Sequence, residues 1–257
     1  MRINTNVGAL NSAKNGFINN MATESSMRKL SSGLRISRAA DDAAGLSIAN
    51  KLRAQSRSLT VAAANSEQGN AMLQIAEGSA STIQKILERQ KELIIQREST
   101  GNNSSVTATL NTELTTLSSE VDRIITSTNF QGSTVFTSLA FQVSDGTTGG
   151  TVSVDATLAA SSVTLASGAS ISAVDTALTS INTVLANIGA GQNRLDYTVQ
   201  NLKAAVVNVK AAESTIRDVD MAEEMANYTK NSILTQAAQA MLAQANQSSQ
   251  SVLSLLR

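Results

Sequence analysis

Asp41 and Asp42 are adjacent carboxylates, a residue type that can act as a general acid and base. They lie just upstream of a long stripe of apolar residues that begins at Ile48. Carboxylates at such a place accept hydrogen bonds from the free N–H groups of a helix's first turn. We therefore interpret the pair as a helix cap rather than as an acid–base couple.

The composition offers little else for catalysis or for binding a metal. The 257-residue chain has no His and no Cys, which removes the commonest general base and metal ligand as well as thiolate chemistry. Ser–Lys and carboxylate chemistry remain open, but no motif supports either. Basic and acidic side chains number 20 each, so electrostatic steering toward nucleic acid or a membrane is not expected. We predict no enzyme, cofactor or metal site.

The same composition favours long, uninterrupted helices. Proline is absent, whereas ordinary usage would give roughly 13 in a chain of this length. Aromatic residues make up 2% of the chain and hydrophobic residues 42%. Small and aliphatic side chains must therefore form the core, which suits close packing of helices.

Both ends of the chain carry apolar stripes at alternating steps of three and four residues, the spacing of a helical seam that needs a partner. Residues 1–40 carry six basic and one acidic side chain, and residues 211–257 carry three basic and five acidic ones. Opposite charges favour pairing of the ends, although charge alone fits solvated faces equally well. The predicted terminal assembly seam comprises Ile3, Val7, Leu10, Phe17, Met21, Leu234, Ala238, Met241, Ala245, Val252 and Leu255.

The middle of the chain predicts a three-stranded antiparallel helical bundle. Apolar stripes run from Ile48 to Ile94, from Leu110 to Ile124 and from Val174 to Val209. Between the second and third stripes, apolar and polar residues alternate over about 130–155 and are interrupted by glycines, which predicts one or two β-hairpins. We interpret the uncharged residues 156–170 as a short surface connection.

The predicted fold class is mainly α, a long antiparallel bundle or coiled coil with a small β-hairpin region and paired terminal helices. Residues 1–43 with 212–257 would form a terminal coiled-coil domain, the filament core, and residues 44–211 a helical rod. Isolated amphipathic helices with small side chains are marginal in water. We expect each terminal seam to be covered partly by the other terminus and partly by neighbouring copies, and an interface that does not close generates a filament.

Several motifs resemble those of bacterial flagellin. Residues 30–37 (LSSGLRIS) and 41–49 (DDAAGLSIA) look like the opening signatures of that family. Residues 242–247 (LAQANQ) and 252–257 (VLSLLR) look like its closing segment. The resemblance is specific because long motifs lie at both ends of the chain, each at the end where the family has it.

The resemblance implies a structural subunit of the bacterial flagellar filament, a homopolymer located outside the cell. It implies export through the flagellar type III apparatus, which fits the lack of an apolar signal-peptide core in residues 1–10. Implied partners are an export chaperone and the filament cap and junction proteins. The alternatives are a hook–filament junction protein, which resembles flagellin at its ends, and a helical adaptor or effector that would stay monomeric or form closed oligomers.

The resemblance also implies recognition by the flagellin-sensing Toll-like receptor of animal hosts. The matching positions are Arg89, Leu93, Gln96 and Glu113. The first three lie within two turns of one predicted helix and the last lies on the next. The alternative is that Leu93 packs in the bundle and the polar residues serve contacts between subunits.

Overall fold

The computed structural model describes residues 5–99, 103–144, 150–165 and 168–255. Long helices dominate this part of the chain, which confirms the predicted mainly α class. None of the described helices is long and apolar enough to span a membrane. The elements are α1 Val7–Ser32, α2 Ala43–Arg97, α3 Ser104–Ser127, β1 Asn129–Phe130, β2 Ser133–Thr134, β3 Ser138–Gln142, β4 Thr151–Asp155, α4 Ala160–Val163, α5 Ile171–Arg217 and α6 Met221–Leu255.

The chain divides into two compact units. One contains residues 1–54 and 209–257, and the other contains residues 55–208. We call them the terminal unit and the bundle unit. Their division falls near the boundaries predicted at 43 and 212, and the assignment of the terminal unit to a filament core stays a prediction.

The two adjacent carboxylates have separate structural roles. Oδ1 of Asp42 accepts a hydrogen bond from the N–H of Gly45 at 2.9 Å, as an N-cap of α2 does. Oδ2 of Asp41 instead accepts from the N–H groups of Arg38 (2.9 Å) and Ser37 (3.1 Å) and closes the preceding loop. These backbone hydrogen bonds lower the pKa of Asp41. The predicted cap is thus formed by Asp42, while Asp41 shapes the approach to the helix.

Three antiparallel helices form the bundle unit. Nζ of Lys91 on α2 lies 2.6 Å from Oδ1 of Asp175 on α5, and Lys203 on α5 reaches back to Glu67 on α2 at 2.8 Å. Fully buried aliphatic residues from all three helices fill the space between them. They include Leu73, Ile83, Leu87 and Ile94 of α2, Leu114 and Val121 of α3, and Ile181, Ile188 and Leu195 of α5.

Gln90, a polar position in the α2 stripe, is fully buried. Nε2 of Gln90 donates to Oγ of Ser118 on α3 at 3.1 Å, and that hydroxyl donates to the carbonyl of Leu165 at 2.6 Å. Buried polar groups are stable when they are hydrogen-bonded to one another. The chain of hydrogen bonds therefore fixes the alignment of α2, α3 and the segment that precedes α5.

The predicted β region contains two antiparallel hairpins. β1 and β2 are joined by Gln131 and Gly132, whose φ angles of 51° and 83° suit a two-residue hairpin turn. β3 and β4 pair with Leu139 opposite Val154 and Phe141 opposite Val152. The side chains of Leu139 and Val154 belong to the buried core of the bundle unit.

The prediction that residues 156–170 form a surface connection is wrong for residues 156–165, whereas residues 166 and 167 lie outside the described part of the chain. Ala156, Leu158, Val163 and Leu165 are all buried and belong to the core of the bundle unit. A hydrogen bond also attaches the segment to α3, since Oγ1 of Thr164 donates to Oδ1 of Asp122 at 2.6 Å. The segment lacks charges because it packs against helices, and this absence of charge was the feature interpreted as a surface loop.

Hairpin β3–β4 sits close to two helices because each has a glycine at the contact. A Cβ atom at Gly69 of α2 would lie 2.8 Å from a ring carbon of Phe141, and one at Gly191 of α5 would lie 2.5 Å from Cγ2 of Val154. Both distances are too short for a real carbon contact. The two glycines therefore leave the space that the hairpin side chains fill.

Alanine substitution should separate this contact from the general cost of glycine in a helix. Gly78, also on α2, has no atom within 4 Å of its added Cβ, so Gly78→Ala should stabilise the monomer by about 0.5–1 kcal/mol. Gly69→Ala should destabilise it by roughly 1–3 kcal/mol through overpacking against Phe141. Urea unfolding followed by circular dichroism measures both, and equal stabilisation by both variants would contradict the close contact.

The hydrogen bonds to Asp41 should be sensitive to acid. Because the folded pKa lies below the ordinary value of 3.8, their contribution is present above that value and is lost as pH falls through the folded pKa. In an NMR titration, the amide protons of Ser37 and Arg38 should shift with a midpoint below 3.8. Asp41→Asn should abolish this transition, and a midpoint at or above the ordinary value would argue against the assignment.

Candidate assembly surface

Two backbone hydrogen bonds join the connection between α1 and α2 to the connection between α5 and α6. The N–H of Arg35 donates to the carbonyl of Arg217 at 2.7 Å, and the N–H of Val219 donates to the carbonyl of Gly33 at 3.1 Å. Gly33 ends α1 in the left-handed conformation, with φ 69°. We call residues 33–35 and 217–219 the terminal junction. It brings the end of α1 and the start of α6 together.

The side chain of Arg35 strengthens the terminal junction. Its Nη2 donates to the carbonyl of Ile216 at 2.7 Å, one of the last carbonyls of α5, which have no partner within the helix. A cation also complements the partial negative charge at a helix C-terminus. Arg35 thus caps α5 from the opposite connection, a role that the sequence motif gave no means of recognising.

The terminal helices α1 and α6 pair in antiparallel fashion, which confirms the predicted pairing of the two ends. Nδ2 of Asn6 donates to the carbonyl of Ala245 at 2.9 Å near one end of the pair. Near the other end, Nζ of Lys29 lies 3.7 Å from Oε2 of Glu224, an ion pair between the basic and acidic ends.

Small and polar side chains form the face of α1 that contacts α6. A Cβ atom added at Gly16 would lie 3.5 Å from Cβ of Ala238, an ordinary van der Waals distance. Small side chains at a contact allow two helices to approach closely. The partly or fully buried positions of α1 recur at steps of three and four residues and include Ala9, Ser12, Gly16, Asn19, Thr23 and Ser26.

The predicted apolar seam of α1 lies on the other side of the helix. Val7, Leu10, Phe17 and Met21 are between 56% and 65% exposed. At 100° per residue they project away from the face that packs on α6. The expectation that α6 covers part of this seam is therefore wrong, because the close contact selects the small side chains. Ile3 lies outside the described residues.

The predicted seam of α6 divides between two environments. Ala238 and Ala245 are partly buried beside α1, whereas Leu234 and Met241 are 41% and 61% exposed. The side chains of Val252 and Leu255 lie outside the described part of the chain.

Additional large apolar side chains are exposed on both terminal helices without belonging to the predicted stripes. The sequence pattern that could have identified them is a large apolar residue among the small and polar residues of a terminal helix. Extended exposed apolar surface marks a site of interaction with another molecule. We call the whole set the exposed apolar surface, and it comprises Val7, Leu10, Phe17, Ile18, Met21 and Met27 of α1 and Met221, Met225, Ile233, Leu234 and Met241 of α6.

The four positions matched to receptor recognition lie on α2 and α3 of the bundle unit, and they divide by burial. The guanidinium of Arg89 bridges Glu92 at 3.0 Å and Glu113 on α3 at 3.1 Å, and these hydrogen bonds raise the pKa of Arg89. Gln96 is exposed about two turns further along the same face of α2. Leu93 is 1% exposed and packs in the bundle core, in agreement with the alternative interpretation of this residue. A direct surface contact by Leu93 is therefore ruled out.

The described residues contain no group of three or more acidic side chains that could hold a metal ion. Their clearest surface feature is the exposed apolar surface of α1 and α6.

Comparison with known proteins matches both parts of the chain to one family. Residues 3–140 match the bacterial flagellin N-terminal helical region, and residues 171–256 match the bacterial flagellin C-terminal helical region. The flagellin of Bacillus subtilis strain 168 is 40% identical over 304 residues, and that of Halalkalibacterium halodurans is 42% identical over 272. The flagellar filament 33 kDa core protein of Treponema phagedenis is 37% identical over 286 residues. Each alignment covers 100% of both chains.

None of these relatives favours the junction-protein alternative, because their names are those of flagellins and filament core proteins. The paired terminal helices, the bundle and the alignments along the full chain agree. The chain belongs to the bacterial flagellin family and is a structural subunit of the flagellar filament, not an enzyme.

Proposed function

We propose that the exposed apolar surface is where neighbouring copies pack against the terminal unit in the filament. The observation that supports this is the outward position of Val7, Leu10, Phe17 and Met21, which lie opposite the face of α1 that contacts α6. A paired helix that is small on its inner face and apolar on its outer face needs a second layer of protein around it.

Magnitudes favour many neighbours over a single partner. The six apolar side chains of α1 in this surface are each 51–65% exposed, so completing their burial gains on the order of 5–10 kcal/mol. Association of two molecules costs an estimated 4–15 kcal/mol. For one contact, the free energy gained by burial is therefore about equal to the cost of association. Contacts with several neighbours at once give a clearly favourable free energy. This balance suits a polymer that extends from an existing end.

The same surface provides a reason for the partners that the family resemblance implies. Exposed apolar helices associate without specificity when they are free in solution. A chaperone that covers α6 before export would prevent this. Export through the flagellar type III apparatus, addition beneath a cap and attachment through junction proteins complete the proposed route to an extracellular filament.

Recognition by a host Toll-like receptor is proposed for the polar positions only. Arg89 and Glu113 form an exposed ion pair across α2 and α3, and Gln96 is exposed near them. A receptor can contact these side chains on the isolated chain, while Leu93 supports them from the core.

Substitution of Phe17 tests the assembly surface. Phe17→Gln should leave the monomer's circular dichroism unchanged because the side chain is 65% exposed. It should raise the critical concentration for polymerisation at least ~10-fold, since it loses apolar burial and places an amide in the interface. Polymerisation onto filament fragments, followed by sedimentation and negative-stain microscopy, measures the change.

Asn15→Gln is the matched control, because Asn15 is exposed on the same helix but off the apolar side. It should polymerise like the unsubstituted protein. Normal polymerisation of Phe17→Gln would refute the proposed surface. Persistent monomers of the unsubstituted protein with filament seeds would count against filament formation itself.

Amide exchange should distinguish the two units in the monomer. The α1–α6 pair has a contact of small side chains, whereas residues 72–94 of α2 include several fully buried aliphatic ones. Local opening is easier where few apolar contacts are buried. We expect faster hydrogen exchange in α1 and α6 than in residues 72–94 of the monomer, and slow exchange in both after polymerisation. Equal protection in the monomer would contradict this account.

A further inference from the structure

The methionines are sorted by position in the fold. The chain has seven, of which Met1 lies outside the described residues. Met72 on α2 is 8% exposed and packs in the core of the bundle unit. The other five are all on the terminal helices and are 49–61% exposed, namely Met21 and Met27 of α1 and Met221, Met225 and Met241 of α6.

Three of these methionines lie near one inter-helix contact. Met27 is two residues from Lys29, and Met225 and Met221 are one and three residues from Glu224 along the chain. Lys29 and Glu224 form the ion pair that joins α1 and α6. Met225 also lines an open apolar groove on α6 with Ile233 and other residues of that helix. Thioether groups are thus concentrated on the surface proposed to meet neighbouring copies.

We propose that the five exposed methionines form an oxidation-sensitive site that controls assembly, a proposal that rests on the proposed function of the exposed apolar surface. The oxidant is a peroxide. A sulfur lone pair attacks one oxygen of hydrogen peroxide, an S–O bond forms and the O–O bond breaks. The proton of the transferred oxygen passes to the departing hydroxide, which leaves as water. The sulfur is oxidised by two electrons to a sulfoxide and the peroxide is reduced.

Oxidation should affect association and not the fold of the single chain. A sulfoxide is polar, so placing it in an apolar interface leaves a buried acceptor without its water hydrogen bonds. In the unassembled chain the same groups face solvent, and their oxidation removes no core packing. Met72 remains protected in the core and serves as an internal reference for unfolding.

Hydrogen peroxide treatment of the purified monomer, followed by peptide mass spectrometry and a polymerisation assay, tests the proposal. We expect the five exposed methionines to oxidise at least ~10-fold faster than Met72, with unchanged circular dichroism. The oxidised monomer should need an at least ~10-fold higher concentration to extend filament seeds, because several buried sulfoxides oppose packing. Methionines within preassembled filaments should oxidise more slowly than in the monomer.

A variant with leucine at all five positions (M21L, M27L, M221L, M225L and M241L) provides the control. Leucine and methionine have similar volumes, but leucine has no thioether to oxidise. The concentration that the variant needs to extend seeds is therefore measured before and after peroxide treatment, and peroxide should leave it unchanged. Inhibition of the variant by peroxide, or normal polymerisation of the oxidised unsubstituted protein, would overturn the proposal.

The outcome is separable from that of the Phe17→Gln test. If Phe17→Gln fails to polymerise while the oxidised protein polymerises normally, the result supports the assembly surface and refutes the oxidation-sensitive site. If Phe17→Gln polymerises normally, the proposed assembly surface is refuted, whatever the effect of peroxide.

Discussion

The close contact between α1 and α6 is the constraint on which the terminal unit depends. The contact uses small and polar side chains such as Gly16 and Ala238, so the helices approach closely but bury little apolar area. Hydrophobic stabilisation scales with apolar area removed from water. The pair is therefore held by a weak contact, and its larger apolar residues remain available for other molecules.

Hydrogen bonds compensate for the small apolar area at the place where α1 ends and α6 begins. The terminal junction uses backbone bonds between two connections that are far apart in the chain, and Arg35 adds a bond to the carbonyl of Ile216. Directional bonds of this kind fix alignment without requiring a large core. The junction thus defines which residues of α1 and α6 meet, while large apolar side chains on their outer faces stay exposed in the single chain.

The bundle unit follows the opposite principle, since its stability comes from a continuous core. Aliphatic side chains of α2, α3 and α5 interlock, and Gly69 and Gly191 admit the side chains of hairpin β3–β4. Nε2 of the fully buried Gln90 donates to Oγ of Ser118, which gives this core a defined alignment. A chain whose proposed assembly surface lies on one unit can thus keep its fold through the core of the other.

The sequence by itself determined the helices, their antiparallel pairing, the hairpin region and the family, because heptad spacing and terminal motifs are local patterns. Asp42 was recognisable as a cap for the same reason, since a helix cap depends on neighbours within four residues. Only the tertiary structure decided which face of each helix is covered. Periodicity defines a stripe but not its partner, so the α1 seam was predicted at the contact that Gly16 and its small neighbours occupy. The burial of apolar side chains such as Leu158 and Leu165, the buried position of Leu93 and the cap formed by Arg35 likewise depend on groups distant in the chain, which no local pattern specifies.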